Sequence, residues 1–274
     1  MSAHYSYINQ AFIVKEAANI SVGDLVIQRG YGIFDFLTTI NHRPICLDAH
    51  LARFYQSAKA MHLNVPLEKK ALIAVINCLI QKNNLPNSGI RMTLTGGESA
   101  DGYSIGKPNL IITQSPFVYR EEMFTKGLKL ITYEHQRQLP HIKTIDYLKA
   151  IYLQPTIQLA QADDVLYHYN GLVTECPRAN FFIVTDEETI ITPETNILEG
   201  VTRQLILNLK GYKILTGVIT LDMLKTAKEA FVSSSTKQIL PVLSIDGQII
   251  RNGQPGPITS ALFKQLIDLK GILI

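Results

Sequence analysis

Cysteine is scarce in this 274-residue chain. Cys46, Cys78 and Cys176 are odd in number and widely spaced. That excludes a disulfide framework and a cysteine-built zinc site, and it points to a reducing compartment, the cytoplasm. Excess charge is almost missing as well: 26 Lys and Arg stand against 23 Asp and Glu, a net charge of +3. The excess is spread along the chain and leaves no electrostatic footprint for nucleic acid or an anionic membrane surface. Apolar runs are short, as in Ala71–Ile76 and Leu110–Ile112, so no segment is expected to span a bilayer. Met1–Ser6 shows no basic stretch followed by an apolar one, so no export signal is expected. Low-complexity tracts and internal repeats are absent. What is present is a chain 46% hydrophobic, long enough for about two domains. It reads as a soluble globular enzyme with no metal site.

Strand-like and helical patterns alternate, the mark of a mixed α/β (α+β) chain. Ser6–Val14 reads as a hairpin turning at Asn9-Gln10. Gly32–Thr39 reads as a strand, and Arg43–Leu47 pairs with it across Asn41-His42. Asp48 is expected to cap a helix whose apolar stripe is Leu51, Phe54, Ala58 and Met61, with His50 and Arg53 off the stripe. A second helix is expected from Glu68 to Lys82. In Gly89–Thr95 the residues Ile90, Met92 and Leu94 alternate with Arg91, Thr93 and Thr95, so a half-buried strand carries Arg91 on its polar side. Gly96–Gly106 reads as a loop and Pro108–Thr113 as a strand. Pro116 and Arg120-Glu121-Glu122 break the pattern, which predicts a smaller domain over residues 1–115, a linker over 116–124 and a larger domain over 125–274. The second half predicts strands at Leu128–Tyr133, Val165–His168, Phe181–Val184 and Ala230–Ser233. Its helices are expected at Ile145–Gln161, interrupted by Pro155, at Thr202–Leu209 and at Ile258–Leu269.

Several residues could carry chemistry. Lys143, at the predicted entrance to the Ile145 helix, is either a surface lysine or one held neutral or bonded covalently, because a cation at a helix N-terminus opposes the macrodipole. Glu175 lies between the Asn170-Gly171 turn and the Phe181-Phe182 strand, either solvated in a loop or held at a site wall. Glu199-Gly200-Val201-Thr202-Arg203 opens a helix, and its backbone N–H groups and the Thr202 hydroxyl suit either an anion or an ordinary cap. Ser233-Ser234-Ser235-Thr236 is a second hydroxyl cluster at a strand end. Arg53 is either a bidentate phosphate clamp or a solvated arginine.

The order of these motifs is more specific than any one of them. Arg53 on His-Leu-x-Arg is followed by Ile-Lys-Thr-x-Asp-Tyr-Leu, then Asn-Gly-x-Val-Thr-Glu before Asn-Phe-Phe. Thr192-Pro193 with Ile197–Arg203 comes next, then Ser-Ser-Ser-Thr ahead of Leu240-Pro241-Val242. From about Tyr7 to Gly247 the chain resembles the class IV, fold-type IV pyridoxal-phosphate enzymes: branched-chain and D-amino-acid aminotransferases and aminodeoxychorismate lyase. The resemblance implies a two-domain fold-type IV architecture with the cofactor between the domains and a homodimer with shared active sites. It implies that Lys143 carries pyridoxal 5'-phosphate on its ε-amine and that Glu175 pairs with the pyridine nitrogen. Arg53, Val201, Thr202 and Ser235 would hold the phosphate, Gly200 and Ser234 would also bind the cofactor, and Tyr147 would approach the phenolic oxygen. The chain departs from the family pattern at Asp35 (usually Glu), at Asp146 (usually Asn) and at Cys176-Pro177-Arg178 (usually small residues).

Arg29, Tyr31 and Arg91 are the substrate candidates. Two arginines so placed resemble a subset of D-amino-acid transaminases in which they grip the substrate carboxylate, with Arg29 or Tyr31 reaching across from the neighbouring subunit. The Gly96–Gly106 loop holds neither arginine nor histidine, so the Arg-x-His carboxylate trap of other D-enzymes is missing. The expected reaction is amino transfer between a D-amino acid and a 2-oxo acid in a ping-pong cycle. The alternatives are 4-amino-4-deoxychorismate lyase, which Gly96-Gly97, Gly102-Tyr103-Ser104 and Thr174-Glu175-Cys176 resemble, then a branched-chain L-aminotransferase, then a non-enzymatic binding protein on the same scaffold.

Overall fold

The alternation read in Gly89–Thr95 builds the middle of a six-stranded sheet. The computed structural model describes residues 4–120 and 122–271. Met1–Ala3 of the export-signal reading, and Glu121 of the expected linker, lie outside the described residues. The chain folds as two compact units. One runs to Val118 and takes back Ile142–Asp146; the other comprises Tyr119–His141 and resumes at Tyr147. The sequence placed Lys143 in the C-terminal domain, but its segment belongs by its contacts to the first unit.

The first unit contains β1 (Tyr5–Ile8), β2 (Ala11–Val14), α1 (Leu25–Gln28), β3 (Gly32–Ile40), β4 (Arg43–Pro44), α2 (Leu47–Ala60), α3 (Lys69–Asn83), β5 (Ser88–Thr95) and β6 (Leu110–Pro116). Among the described residues its sheet runs β2-β1-β6-β5-β3-β4, antiparallel at every pairing. The β1–β2 turn is where the sequence puts it, with Asn9 left-handed at φ 56°. Ile33 and Leu37 of β3, and Ile90, Met92 and Leu94 of β5, pack with Leu51 and Phe54 of α2 and with Leu72 and Ile76 of α3. These side chains are withdrawn from water and supply the unit's main stabilisation. Gly89 pairs with Thr38, and a Cβ there would lie 2.3 Å from the Phe36 ring. Only glycine lets that ring lie over the neighbouring strand.

Two local expectations change here. The ladder ends as Ile45 N donates to Thr38 O, and Cys46, left-handed at φ 54°, turns the chain straight into α2. Cys46 is therefore the N-cap and Leu47 is helical, while Asp48 sits in the first turn, where its charge suits the helix dipole. His50, predicted off the apolar stripe, is buried because Asp35 on β3 gives it a polar partner inside the core.

The second unit contains α4 (Glu122–Lys126), β7 (Leu128–Glu134), α5 (Leu148–Tyr152), α6 (Gln154–Leu159), β8 (Asp164–Tyr169), β9 (Leu172–Val173), β10 (Glu175–Cys176), β11 (Ala179–Val184) and β12 (Ile190–Pro193). It continues with α7 (Val201–Leu207), β13 (Ile214–Gly217), α8 (Leu221–Thr226), β14 (Glu229–Ser234), β15 (Gln238–Ile245), β16 (Gln248–Ile249) and α9 (Pro257–Lys270). Its sheet runs β13-β12-β11-β14-β15-β7-β8-β9, with β10 on β11 and β16 on β15. The pairings β12–β13, β15–β7 and β7–β8 are parallel. Asn170 and Gly171 both have positive φ between β8 and β9, as a tight hairpin turn requires.

The helix expected over Ile145–Gln161 is shorter and split. It starts at Leu148 and breaks at Leu153, because Pro155 occupies the first turn of a new helix, where a missing N–H costs nothing. At the far end of the chain, Glu229 caps α9. Its carboxylate accepts from Ile258 N at 3.1 Å, Thr259 N at 2.8 Å and Thr259 Oγ1 at 2.7 Å.

Candidate active site

Lys143 does not stand at a helix entrance. Its segment lies along the start of β3: Phe34 N donates to Lys143 O at 3.0 Å, and Ile145 N donates to Gly32 O at 3.1 Å. Ile142 anchors the segment in the core of the first unit, and Lys143 N donates to Ser57 Oγ of α2 at 3.3 Å. The macrodipole argument therefore falls away: Lys143 is the central residue of a tight turn in which Thr144 N donates to Ile142 O at 3.0 Å, and that turn aims the side chain. Lys143 Nζ lies 4.6 Å from the centroid of the Phe34 ring, and Arg91 Cζ lies 3.8 Å from the same centroid. A primary amine and a guanidinium thus share one aromatic platform, each attracted by its π-electrons.

The opposite face of β3 carries Asp35, which is fully buried. Arg53 grips its carboxylate through Nε and Nη2, both at 2.8 Å, and His50 Nδ1 lies 2.7 Å from Oδ1. Burial alone would raise the Asp35 carboxyl. The Arg53 charge, with hydrogen bonds from His50 and Arg53, holds it well below the usual carboxylate range instead. For His50 burial wins, and its pKa falls below the ordinary histidine value despite Asp35; the charges of Arg53 and Lys143 push the same way. A neutral ring donating from Nδ1 is the consistent state. Arg53, the candidate phosphate clamp, is thus oriented by Asp35 within the first unit.

In the second unit Glu175 is buried, not solvated in a loop. It opens β10 opposite Asn180. Its Oε1 accepts from Arg137 Nη1 at 2.7 Å and its Oε2 from Asn180 Nδ2 at 3.1 Å, while Leu198 N lies 3.1 Å from both oxygens. Asn180 also donates to Leu198 O at 2.7 Å and so ties the two segments together. Gly200 must be glycine, since a Cβ there would lie 2.1 Å from Asn180 Oδ1. It is the N-cap of α7 and makes no side-chain cap hydrogen bond. Val201 and Thr202 are buried at that helix start. Past β14, Ser234 Oγ and Thr236 Oγ1 are 3.3 Å apart and Lys237 N donates to Ser234 Oγ at 3.0 Å. Ser233 Oγ is buried without a hydrogen-bond partner.

The structure places the remaining candidates as follows. Tyr147 is the N-cap residue of α5. Arg29 ends α1 and donates from Nη1 to Gln28 O at 2.9 Å. The Tyr31 hydroxyl donates to Met61 O of its own unit at 2.7 Å. Sequence reasoning missed Arg137, Asn180 and Phe34, whose roles come from contacts with residues distant in the chain.

These groups match what pyridoxal 5'-phosphate needs: a primary amine for its aldehyde, a buried carboxylate for a protonated ring nitrogen, and hydroxyls with a capless helix start for its phosphate. The orphaned Ser233 hydroxyl marks spare donor capacity in the same segment. Each unit taken by itself thus carries groups of the kind a pyridoxal-phosphate enzyme uses. The family model described as Amino-transferase class IV matches residues 32–245, and the chain belongs to that family. A putative branched-chain-amino-acid aminotransferase of Methanocaldococcus jannaschii is 30% identical over 280 residues, 96% of each chain. A D-alanine aminotransferase of Bacillus licheniformis is 28% identical over 259 residues, 92% of each. Among solved structures, a branched-chain amino acid aminotransferase from T.th. with pyridoxamine 5'-phosphate has a TM-score of 0.90 at 25% identity, covering 98% of this chain and 95% of that one. The protein is a fold-type IV aminotransferase that uses pyridoxal 5'-phosphate and acts on small amino and 2-oxo acids.

Proposed function

We propose that the enzyme moves an amino group between a D-amino acid and a 2-oxo acid in a ping-pong cycle. The observation that carries this reading is the shared platform on Phe34, where Arg91 and Lys143 converge. A guanidinium there suits a substrate α-carboxylate close to the amine that must reach the α-carbon. Arg29 is the second carboxylate candidate. The D-alanine aminotransferase relatives support the choice.

Pyridoxal 5'-phosphate supplies an electron sink for charge that develops at the substrate α-carbon. Everything else falls to the chain. Lys143 Nζ would hold the cofactor through its aldehyde and, when free, would carry the proton between the substrate α-carbon and that aldehyde carbon. Glu175, fixed by Arg137, Asn180 and Leu198, keeps the ring nitrogen protonated. Arg53, Val201, Thr202 and Ser235 would hold the phosphate, with Gly200 and Ser234 beside them in the cofactor-binding set, and Tyr147 would serve the phenolic oxygen.

The test is a stereospecific half-reaction. The holoenzyme is expected to convert D-alanine and 2-oxoglutarate into pyruvate and glutamate. Silence with D-amino acids together with turnover of L-leucine would overturn the reading in favour of the branched-chain activity named for the Methanocaldococcus relative. Release of 4-aminobenzoate from aminodeoxychorismate would instead make it a lyase. We also assign a homodimer, supported by Leu148, Ile151 and Tyr152, which α5 leaves exposed. Sedimentation should give twice the monomer mass, and a monomer at micromolar concentration would refute the assignment.

A further inference from the structure

α9 is anchored at both ends by buried charge. Glu229 caps its start, and Lys270, 8% exposed, closes its last turn. A helix macrodipole favours that arrangement of signs, so Lys270 could serve α9 alone. Its contacts go further. Lys270 Nζ donates to Thr202 Oγ1 at 3.2 Å and to Gln238 Oε1 at 2.6 Å. Gln238 Nε2 then donates to Ser235 O at 2.8 Å. One ammonium therefore links the start of α7 with the turn between β14 and β15, two segments far apart in the chain.

Two costs meet at this point. A buried ammonium gives up its hydration. Gln238, itself buried, holds a left-handed backbone at φ 54°, a conformation that L-residues adopt at an energetic cost. Strain of this kind persists where surrounding structure over-determines it, characteristically beside a binding site. The chemistry says what would be bound. Thr202 Oγ1 accepts from Lys270, so the hydroxyl keeps its own hydrogen for another acceptor. A cation in so dry a setting is felt strongly by an anion nearby.

We propose that Lys270 is a positioning residue for the cofactor phosphate: it sets Thr202 and, through Gln238, the Ser235 turn in register, and it adds positive charge behind them. The proposal rests on the reading that Thr202 and Ser235 hold that phosphate. It is a role for a residue outside every motif that identified the family.

The experiment compares pyridoxal 5'-phosphate with pyridoxal, which lacks the phosphate. The full-length enzyme is stripped and reloaded with each, and dissociation constants are read from cofactor absorbance. Loss of one charge-assisted contact predicts that Lys270→Met weakens pyridoxal 5'-phosphate about tenfold and leaves pyridoxal within about twofold of the parent. Lys270→Arg should recover most of the loss. A residue that only capped α9 would lower thermal stability and leave the ratio of the two constants unmoved. An unmoved ratio in Lys270→Met, with borohydride still fixing the cofactor on Lys143, overturns the proposal while the reading of the site stands. A parent enzyme with no preference for the phosphorylated form overturns both. If Lys270→Met does not fold, Gln238→Glu decides, since a carboxylate of the same shape neutralises the ammonium: a reduced ratio supports the proposal and an unchanged one refutes it.

Discussion

Lys143→Ala is expected to lower turnover by about three orders of magnitude or more, because in the proposed function it would remove both the covalent attachment point and the proton carrier. Borohydride should leave a pyridoxyl mass on the peptide containing Lys143 in the parent and on no peptide of the variant. The fold should be little affected. The Lys143 side chain is half-buried and packs on Phe34, a contact that contributes about 1 kcal/mol. Its segment is held by backbone hydrogen bonds that alanine retains. A thermal midpoint close to the parental one would assign the loss to chemistry. A variant retaining a tenth of parental turnover would remove Lys143 from the reaction altogether.

Asp35→Ala is expected to be strongly destabilising, costing about 3–5 kcal/mol, since it leaves Arg53, whose side chain is only 12% exposed, without its carboxylate. Arg53 Nε, Arg53 Nη2 and His50 Nδ1 all converge on Asp35, so the candidate phosphate clamp loses its orientation with the fold. The same cluster sets a pH dependence. The folded chain holds the Asp35 carboxyl below its usual range. That contribution is complete above about pH 4 and drains away as the pH falls from there. His50, whose pKa burial depresses, refuses a proton that the unfolded chain accepts below about pH 6.5, so acidification destabilises through this group as well. The urea midpoint should therefore decline from about pH 6.5 and steepen below about pH 4. His50→Gln should flatten the first part of the decline, and an unchanged slope there would exclude His50 as its source.

Patterns written in adjacent residues were legible. The alternation in β5, the Asn170-Gly171 turn and the core stripe of α2 follow from side-chain periodicity and turn chemistry, and the structure has them where the sequence puts them. The environment of Lys143 was misread because helical periodicity from Leu148 onward was extended back over it. The β-branched flanks Ile142, Thr144 and Ile145 were the available signal against a helix there. His50 was misread because a lone histidine off an apolar stripe says nothing of a carboxylate on a strand that precedes it. The motifs singled out Glu175, Thr202 and Ser235 as candidates. The groups that orient them (Arg137, Asn180, Gln238, Lys270) were invisible, because each is linked to its partner only by folding, and no local spacing encodes a hydrogen bond between distant segments.

The return of Ile142–Asp146 to the first unit bears on how the enzyme is made. A ribosome that has released everything up to Val118 has not yet supplied the segment that borders the start of β3, so the N-terminal half emerges with that border bare. Its completion must wait for later translation, and a gene divided after Val118 would yield two fragments, one without that border and the other carrying Lys143 away from the contacts that hold its segment.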